Sequence, residues 1–296
     1  MTLDRRFYDL DDGQMSAVHF GPKDEPIKLV FLHANGFNAQ SYRAILEQLP
    51  LHSVSLDLRG HGFSTLPIPS GALKNFDIFR DDVLSFMERY IDGPVMIGGH
   101  SLGGAVSAMV CEASTEKIQA FIALDPPTMP SFMRGIVALP GMRGWFKRNF
   151  SLAKKSGSRR SIFPDREFMY DHYKKKRSFE KFQEKMMRDY IEGGTRAHKD
   201  GVELTCLPDW EARIYIGSMG NNLFRAAKYL PPHRLYIQAI KGGASTPTAR
   251  AKISHIAGKE NVIADRNIGH LFPLEDPDFV AGHMSKLLKK SGLLVD

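Results

Sequence analysis

The clearest chemical signal in the chain is Gly99-His100-Ser101-Leu102-Gly103. The apolar run Val95-Met96-Ile97-Gly98 leads in and a small-residue segment leads out, so the pattern predicts a strand, a sharp turn and a helix, with Ser101 at the apex. Gly99 and Gly103 lack the side chains that would collide where strand and helix approach so closely. The hydroxyl is thereby lifted out of the sheet. Leu102 presents its backbone N–H at a helix N-terminus, where partial positive charge stabilises a developing oxyanion. A glycine-rich turn before a helix is the bland alternative, so the partners decide. A serine hydroxyl is a weak nucleophile until a base takes its proton. His270, in Ile268-Gly269-His270-Leu271-Phe272-Pro273, is the candidate base. It follows the last predicted strand, and loops after parallel strands emerge on one sheet edge. His33, His61 and His100 fall at strand ends or tight turns, where a hydrogen bond to the backbone accounts for each.

The elements that must position these residues alternate in type. Arg5 to Asp9 and Met15 to Phe20 read as a hairpin around Asp11-Asp12-Gly13. Ile27 to Leu32, Ser53 to Asp57, Val95 to Gly99 and Phe121 to Asp125 read as short buried strands. Helical patterns cover Gln40 to Gln48, Phe76 to Tyr90 and Leu102 to Ala113. After Pro126 the pattern changes: prolines interrupt it, and the segment from Arg143 to Gly193 reads as several helices with no apolar strand. Strand character returns over Arg234 to Ile240 and Glu260 to Ala264, with helices over Thr248 to Ile256 and Pro277 to Lys290. Alternating strands and helices imply a parallel sheet with right-handed crossovers.

The length of 296 residues suits one large α/β domain with an insertion, and it buries a core without disulfides or metals. Cys111 and Cys206 lie far apart, which argues against a disulfide framework or a zinc site and for two reduced structural thiols. No apolar run approaches the roughly 20 residues that span a bilayer, and the charged N-terminal stretch has no apolar core, so the expected location is cytoplasmic. The net charge is +7, but Arg134 to Lys199 holds 18 Lys or Arg against seven Asp or Glu. That basic segment reads either as a solvated face or as a docking surface for an anionic partner.

Together these motifs resemble the α/β-hydrolase-fold serine hydrolases: the His33-Ala34-Asn35-Gly36 loop, the Asp57-Leu58-Arg59-Gly60-His61-Gly62-Phe63-Ser64 run, the Gly99-to-Gly103 elbow, and Gly269-His270 followed by Glu275-Asp276-Pro277. The resemblance implies an α/β-hydrolase fold, with a mostly parallel central sheet, helices on both faces and an inserted helical cap. The core is expected over 1–125 and 233–296, and the cap over 126–232. It also implies a second oxyanion N–H from Asn35 beside that of Leu102. In many relatives the catalytic acid follows the strand that here is Leu235 to Ile240, but this chain has Lys241-Gly242-Gly243-Ala244-Ser245-Thr246-Pro247 there, with no carboxylate. Other members place the acid one strand after the elbow, where this chain has Asp125. Asp265, or a Ser101–His270 dyad oriented by water or a carbonyl, are the alternatives.

The activity this implies is hydrolysis of a small or medium carboxylic ester through an acyl-enzyme, with thioesters, amides and C–C bonds between carbonyls open to the same chemistry. No metal or organic cofactor is implied. The apolar stretch carrying Met129, Phe132, Met133, Ile136, Val137, Leu139 and Met142 is a candidate acyl pocket or a packing surface. Phe179, Phe182, Met186 and Met187 read as helix packing. The competing readings are a binding protein that keeps the fold without turnover, and docking of anionic partners through the cap. The cap lacks the interleaved aromatics and Gly-rich signatures of nucleic-acid binders.

Overall fold

The computed structural model describes residues 3–114 and 116–295. In chain order its strands are β1 (Asp4–Leu10), β2 (Gly13–Phe20), β3 (Leu29–Leu32), β4 (Ser53–Leu56), β5 (Val95–His100), β6 (Ile118–Leu124), β7 (Ile162–Phe163), β8 (Thr195–His198), β9 (Gly201–Leu204), β10 (His233–Ala239) and β11 (Val262–Asp265). Eight of them form one sheet in the order β1-β2-β4-β3-β5-β6-β10-β11. β2 pairs antiparallel with both β1 and β4, and every other neighbouring pair, β4 with β3 included, is parallel.

Side-chain alternation on these strands divides the core between the two faces. From β3, Val30 and Leu32 pack with Phe79, Val83 and Phe86 of helix Asp77–Tyr90 and Val106 and Val110 of helix Leu102–Ala113. Leu29 and Phe31 point the other way, against Tyr42, Ile45 and Leu46 and against Val280, Met284 and Leu288 of helix Pro277–Lys290. Burial on both faces explains why these strands read as apolar runs rather than as alternations. Cys111 and Cys206 are free and buried. Among the described residues no helix is long and apolar enough to cross a membrane.

The chain runs from β3 outward to β4 and then crosses back to β5, so the strand order reverses between β3 and β5. Crevices of parallel sheets open at such a reversal, beyond the carboxyl ends of the strands. The loops after β3, β4, β5, β6, β10 and β11 all leave from that edge.

Between β6 and β10 the chain leaves this sheet. The expectation of a purely helical insertion is corrected here, because β7, β9 and β8 form a separate three-stranded antiparallel sheet. These strands are two to four residues long and their apolar residues are scattered, so no apolar run marked them. The available signal was Lys199-Asp200-Gly201: Lys199 and Asp200 form the two-residue loop between the paired His198 and Gly201, and Gly201 takes a positive φ at the start of β9. Two small apolar clusters hold the insertion together, one around Met169, Tyr173 and Tyr190, the other around Val137, Ala153 and Ile216. The region expected as a helix over Gln40 to Gln48 is a 3-10 turn, Ala39–Tyr42, capped by the Asn38 side chain and followed by the short helix Arg43–Leu46.

Candidate active site

Ser101 sits between β5 and the helix Leu102–Ala113 with φ 52° and ψ −110°, a region that residues with a side chain rarely occupy and that marks stored strain. Its neighbours enforce the conformation. The Ser101 N–H donates to Leu124 O at 2.8 Å, and the Gly103 N–H donates to His33 O at 3.1 Å. Close approach makes glycine obligatory on both sides: a Cβ on Gly99 would lie 2.5 Å from Leu32 O, and one on Gly103 2.1 Å from the same oxygen.

His270 lies in the loop after β11, with Nε2 3.1 Å from Ser101 Oγ and Nδ1 2.6 Å from Asp125 Oδ2. Asp125 follows β6 and is fully buried, with φ 45°. Its carboxylate also accepts the Ala239 N–H at 3.2 Å and the Ala244 N–H at 2.9 Å. The loop Lys241 to Pro247 thus supplies an N–H donor to Asp125 where many relatives carry the acid itself. An ionised carboxylate can only accept, so it fixes the proton on His270 Nδ1 and leaves Nε2 as an acceptor facing the serine. Asp265 serves its own turn instead, accepting the Asn267 N–H at 2.7 Å.

The loop after β3 lies opposite. The N–H groups of Ala34, Gly36 and Phe37 donate to Tyr42 Oη, His61 Nε2 and Ala34 O. Across the turn, those of Ser101 and Gly103 are engaged as described. The backbone N–H groups of Asn35 and Leu102, and that of Asn38 further along the loop, have no hydrogen-bond partner among the described residues.

Three buried histidines set this loop, each by the tautomer its partners dictate. His33 Nε2 accepts the Leu58 N–H at 2.9 Å, so Nδ1–H donates to Ala34 O at 2.8 Å. His61 Nε2 accepts the Gly36 N–H at 3.1 Å while Nδ1–H donates to Arg59 O at 3.1 Å. His100 Nε2–H donates to His270 O at 2.8 Å, and its Nδ1 accepts the Tyr42 hydroxyl at 2.7 Å. Tyr42 therefore links the Ala34 N–H to the His270 loop through His100. Its spacing gave no sign of that role. Asp57, part of a recognised motif but without an assigned task, accepts the Ala39 and Phe63 N–H groups and pairs with Arg5.

In each of these histidines protonation would set a second donor against an existing one, and burial opposes the charge as well. Desolvation pushes the pKa of His33 down to about 4 and that of His61 down to about 3, and pushes that of His100 well below the ordinary value. The unfolded chain then binds more protons below pH 6.5, so the stability these groups confer is complete above that pH and is lost as pH falls toward 4. For His33 alone the loss is about 3 kcal/mol. The urea midpoint is expected to decline already between pH 6.5 and 5, before most carboxylates titrate, and a flat midpoint there contradicts the assignment.

A cavity of about 420 Å³ opens on Ser101, His270, Asn35 and Leu102. Its remaining wall is largely apolar and comes mostly from the insertion: Met129, Phe150, Leu152, Phe179, Ile214 and Tyr215. Of the apolar stretch from Met129 to Met142, Met129 reaches this wall, whereas Val137 packs inside the insertion and Phe132 and Leu139 face solvent. Phe179, expected to serve packing, does both. The insertion also braces the loop after β3. Asn35 Nδ2 donates to Glu211 O at 3.0 Å, and Trp210 Nε1 donates to Arg59 O at 3.0 Å. The Glu211 carboxylate is held by Arg159 at 2.8 Å and by the Ser156 hydroxyl at 3.1 Å.

Known proteins share this layout. The solved structure of E-2-(acetamidomethylene)succinate hydrolase superposes with a TM-score of 0.76 at 16% identity, covering 97% of this chain and 100% of that one. The thioesterase domain from the curacin biosynthetic pathway gives a TM-score of 0.75 at 15% identity, again over 97% and 100%. At such identities the likeness is one of fold. In sequence, Lipase LipV of Mycobacterium tuberculosis (strain ATCC 25618 / H37Rv) is 29% identical over 108 residues, 36% of this chain and 40% of that protein. The chain thus spans about two-fifths of the length of that curated relative. A family model matches residues 29–283, from β3 into the last helix, and by it this chain belongs to the alpha/beta hydrolase family.

Proposed function

We propose that this chain is a serine hydrolase that cleaves a small or medium carboxylic ester through an acyl-enzyme, with Ser101 as nucleophile, His270 as general base and Asp125 as the acid that orients it. The observation that carries the reading is the hydrogen-bonded series from Asp125 Oδ2 through both His270 nitrogens to Ser101 Oγ, at the floor of a largely apolar cavity. Family membership and a relative named as a lipase support hydrolysis in general.

In the proposed reaction Ser101 Oγ attacks the ester carbonyl carbon while its proton passes to His270 Nε2. The carbonyl oxygen becomes an oxyanion between the N–H groups of Asn35 and Leu102, and two such preorganised donors lower the barrier by several kcal/mol. Asp125 stabilises the resulting imidazolium. Its proton then goes to the departing alkoxide, leaving the acyl group on Ser101. Water, deprotonated by His270, attacks the acyl carbon, and collapse releases the carboxylic acid and returns the proton to Ser101 Oγ.

Mass spectrometry after incubation with a fluorophosphonate probe tests this without a guess at the substrate. The expected result is one adduct per chain, mapped to Ser101 and absent in Ser101→Ala. Folded protein that takes up no label refutes the proposal.

A further inference from the structure

Large apolar side chains are most often exposed singly, but here four follow one another along three successive short helices and their connections. Phe132, Leu139, Trp145 and Leu152 are 65%, 58%, 49% and 50% exposed, all within one stretch of the insertion. The same stretch is basic without interruption: from Ser131 to Pro164 the chain has eight Lys or Arg and no Asp or Glu. Some of these cations are engaged. Lys147 and Arg159 pair with Asp209 and Glu211, and Arg143 donates to Leu73 O. Arg134, Arg148, Lys154 and Lys155 are exposed and have no acidic partner among the described residues. An ordinary solvated face interleaves both signs of charge and keeps large apolar groups inside.

We infer that this face of the insertion docks on an anionic lipid bilayer. Charge complementarity selects the occupant. Unpaired cations beside exposed aromatic and aliphatic side chains match an interface with anionic headgroups outside and acyl chains beneath, where Lys and Arg remain among headgroups while Trp, Phe and Leu enter. A phosphate backbone alone would make no use of Leu139 and Leu152. The surface is also continuous with the cavity: Leu152 is half exposed and lines the wall above Ser101, next to Phe150. Docking there turns the cavity mouth toward the bilayer.

The chain carries its own reporter, because it has two tryptophans. Trp210 is 1% exposed and bonded to Arg59 O, whereas Trp145 stands in the proposed interface. Full-length protein is titrated with phosphatidylcholine vesicles, with and without phosphatidylglycerol, and followed by tryptophan emission and cosedimentation. Binding and a blue shift are expected with phosphatidylglycerol present, both weakening with salt, and the shift is expected to vanish in Trp145→Phe. Each near-surface cation contributes roughly fivefold to binding, so Lys154→Glu with Lys155→Glu is expected to cost at least about twentyfold. If that variant fails to fold, by circular dichroism, the salt series and Trp145→Phe decide the matter on their own. Any of three results overturns the inference: no cosedimentation with anionic vesicles, equal binding to neutral ones, or binding that leaves Trp145 emission unmoved. Retention by duplex DNA without retention by anionic vesicles overturns it in favour of a nucleic-acid partner.

Discussion

Asp125→Asn is expected to lower kcat on an activated ester by about 10³ to 10⁴ while leaving the chain folded. The carboxylate accepts three hydrogen bonds, from His270 Nδ1 and the Ala244 N–H at Oδ2 and from the Ala239 N–H at Oδ1. An asparagine offers one acceptor atom and one NH₂ group in their place. With NH₂ at the Oδ2 position, His270 must shift its proton to Nε2, where it can no longer take the Ser101 proton. With NH₂ at the Oδ1 position the tautomer survives, but the Ala239 N–H faces a donor, and the charge that stabilises imidazolium is gone in either case. Burial makes one lost backbone bond cost about 1 to 3 kcal/mol, short of unfolding most domains. The measurement is steady-state kinetics on a 4-nitrophenyl ester, with circular dichroism as the fold control. A loss below tenfold in folded protein would remove Asp125 from the mechanism and favour a Ser101–His270 dyad.

The parts of this site that were legible in the sequence are those whose geometry is enforced locally. Gly99 and Gly103 are demanded by contacts with Leu32 O, so the turn announces itself in five residues. Helix Leu102–Ala113 and helix Pro277–Lys290 have the bounds their patterns indicate, because each begins and ends on local signals: the turn itself for the first, Asp276 capping Phe279 N–H before Pro277 for the second. His270 followed from topology, since loops after parallel strands share one edge. Asp125 needed the resemblance, because nothing about Leu124-Asp125-Pro126 distinguishes an acid beside a histidine from one closing a strand. Pairings between distant segments left no trace at all. Tyr42 meets His100, and Glu211 meets both Asn35 and Arg159, across separations that no periodicity encodes. The insertion was the least legible region for a related reason. Its apolar residues from Phe132 to Leu139 look alike in sequence, yet Val137 is buried and the two ends stand in solvent, a division made by tertiary packing.

Gly103→Ala separates two physical effects of opposite sign. Gly103 lies in the first turn of helix Leu102–Ala113, and helix propensity alone favours alanine over glycine by up to about 1 kcal/mol. Sterics oppose it. The new Cβ would lie 2.1 Å from Leu32 O, 2.4 Å from Leu32 C and 2.7 Å from the Leu32 Cβ. Backbone on one side and a fully buried strand residue on the other leave no flexible group to yield, so β3 and the helix must move apart. That movement breaks the Gly103 N–H bond to His33 O and carries Leu102 away from Asn35. The steric term wins: destabilisation of about 3 to 5 kcal/mol is expected, the size of the severest point substitutions. Urea unfolding checks the sign and fluorophosphonate labelling the geometry, with labelling expected to fall even at temperatures where the variant is folded. A variant as stable as the parent and labelled at the same rate would show that helix and strand are not locked together at Gly103, and that the strain at Ser101 is held by its backbone bonds to Leu124 O and the Ala105 N–H alone.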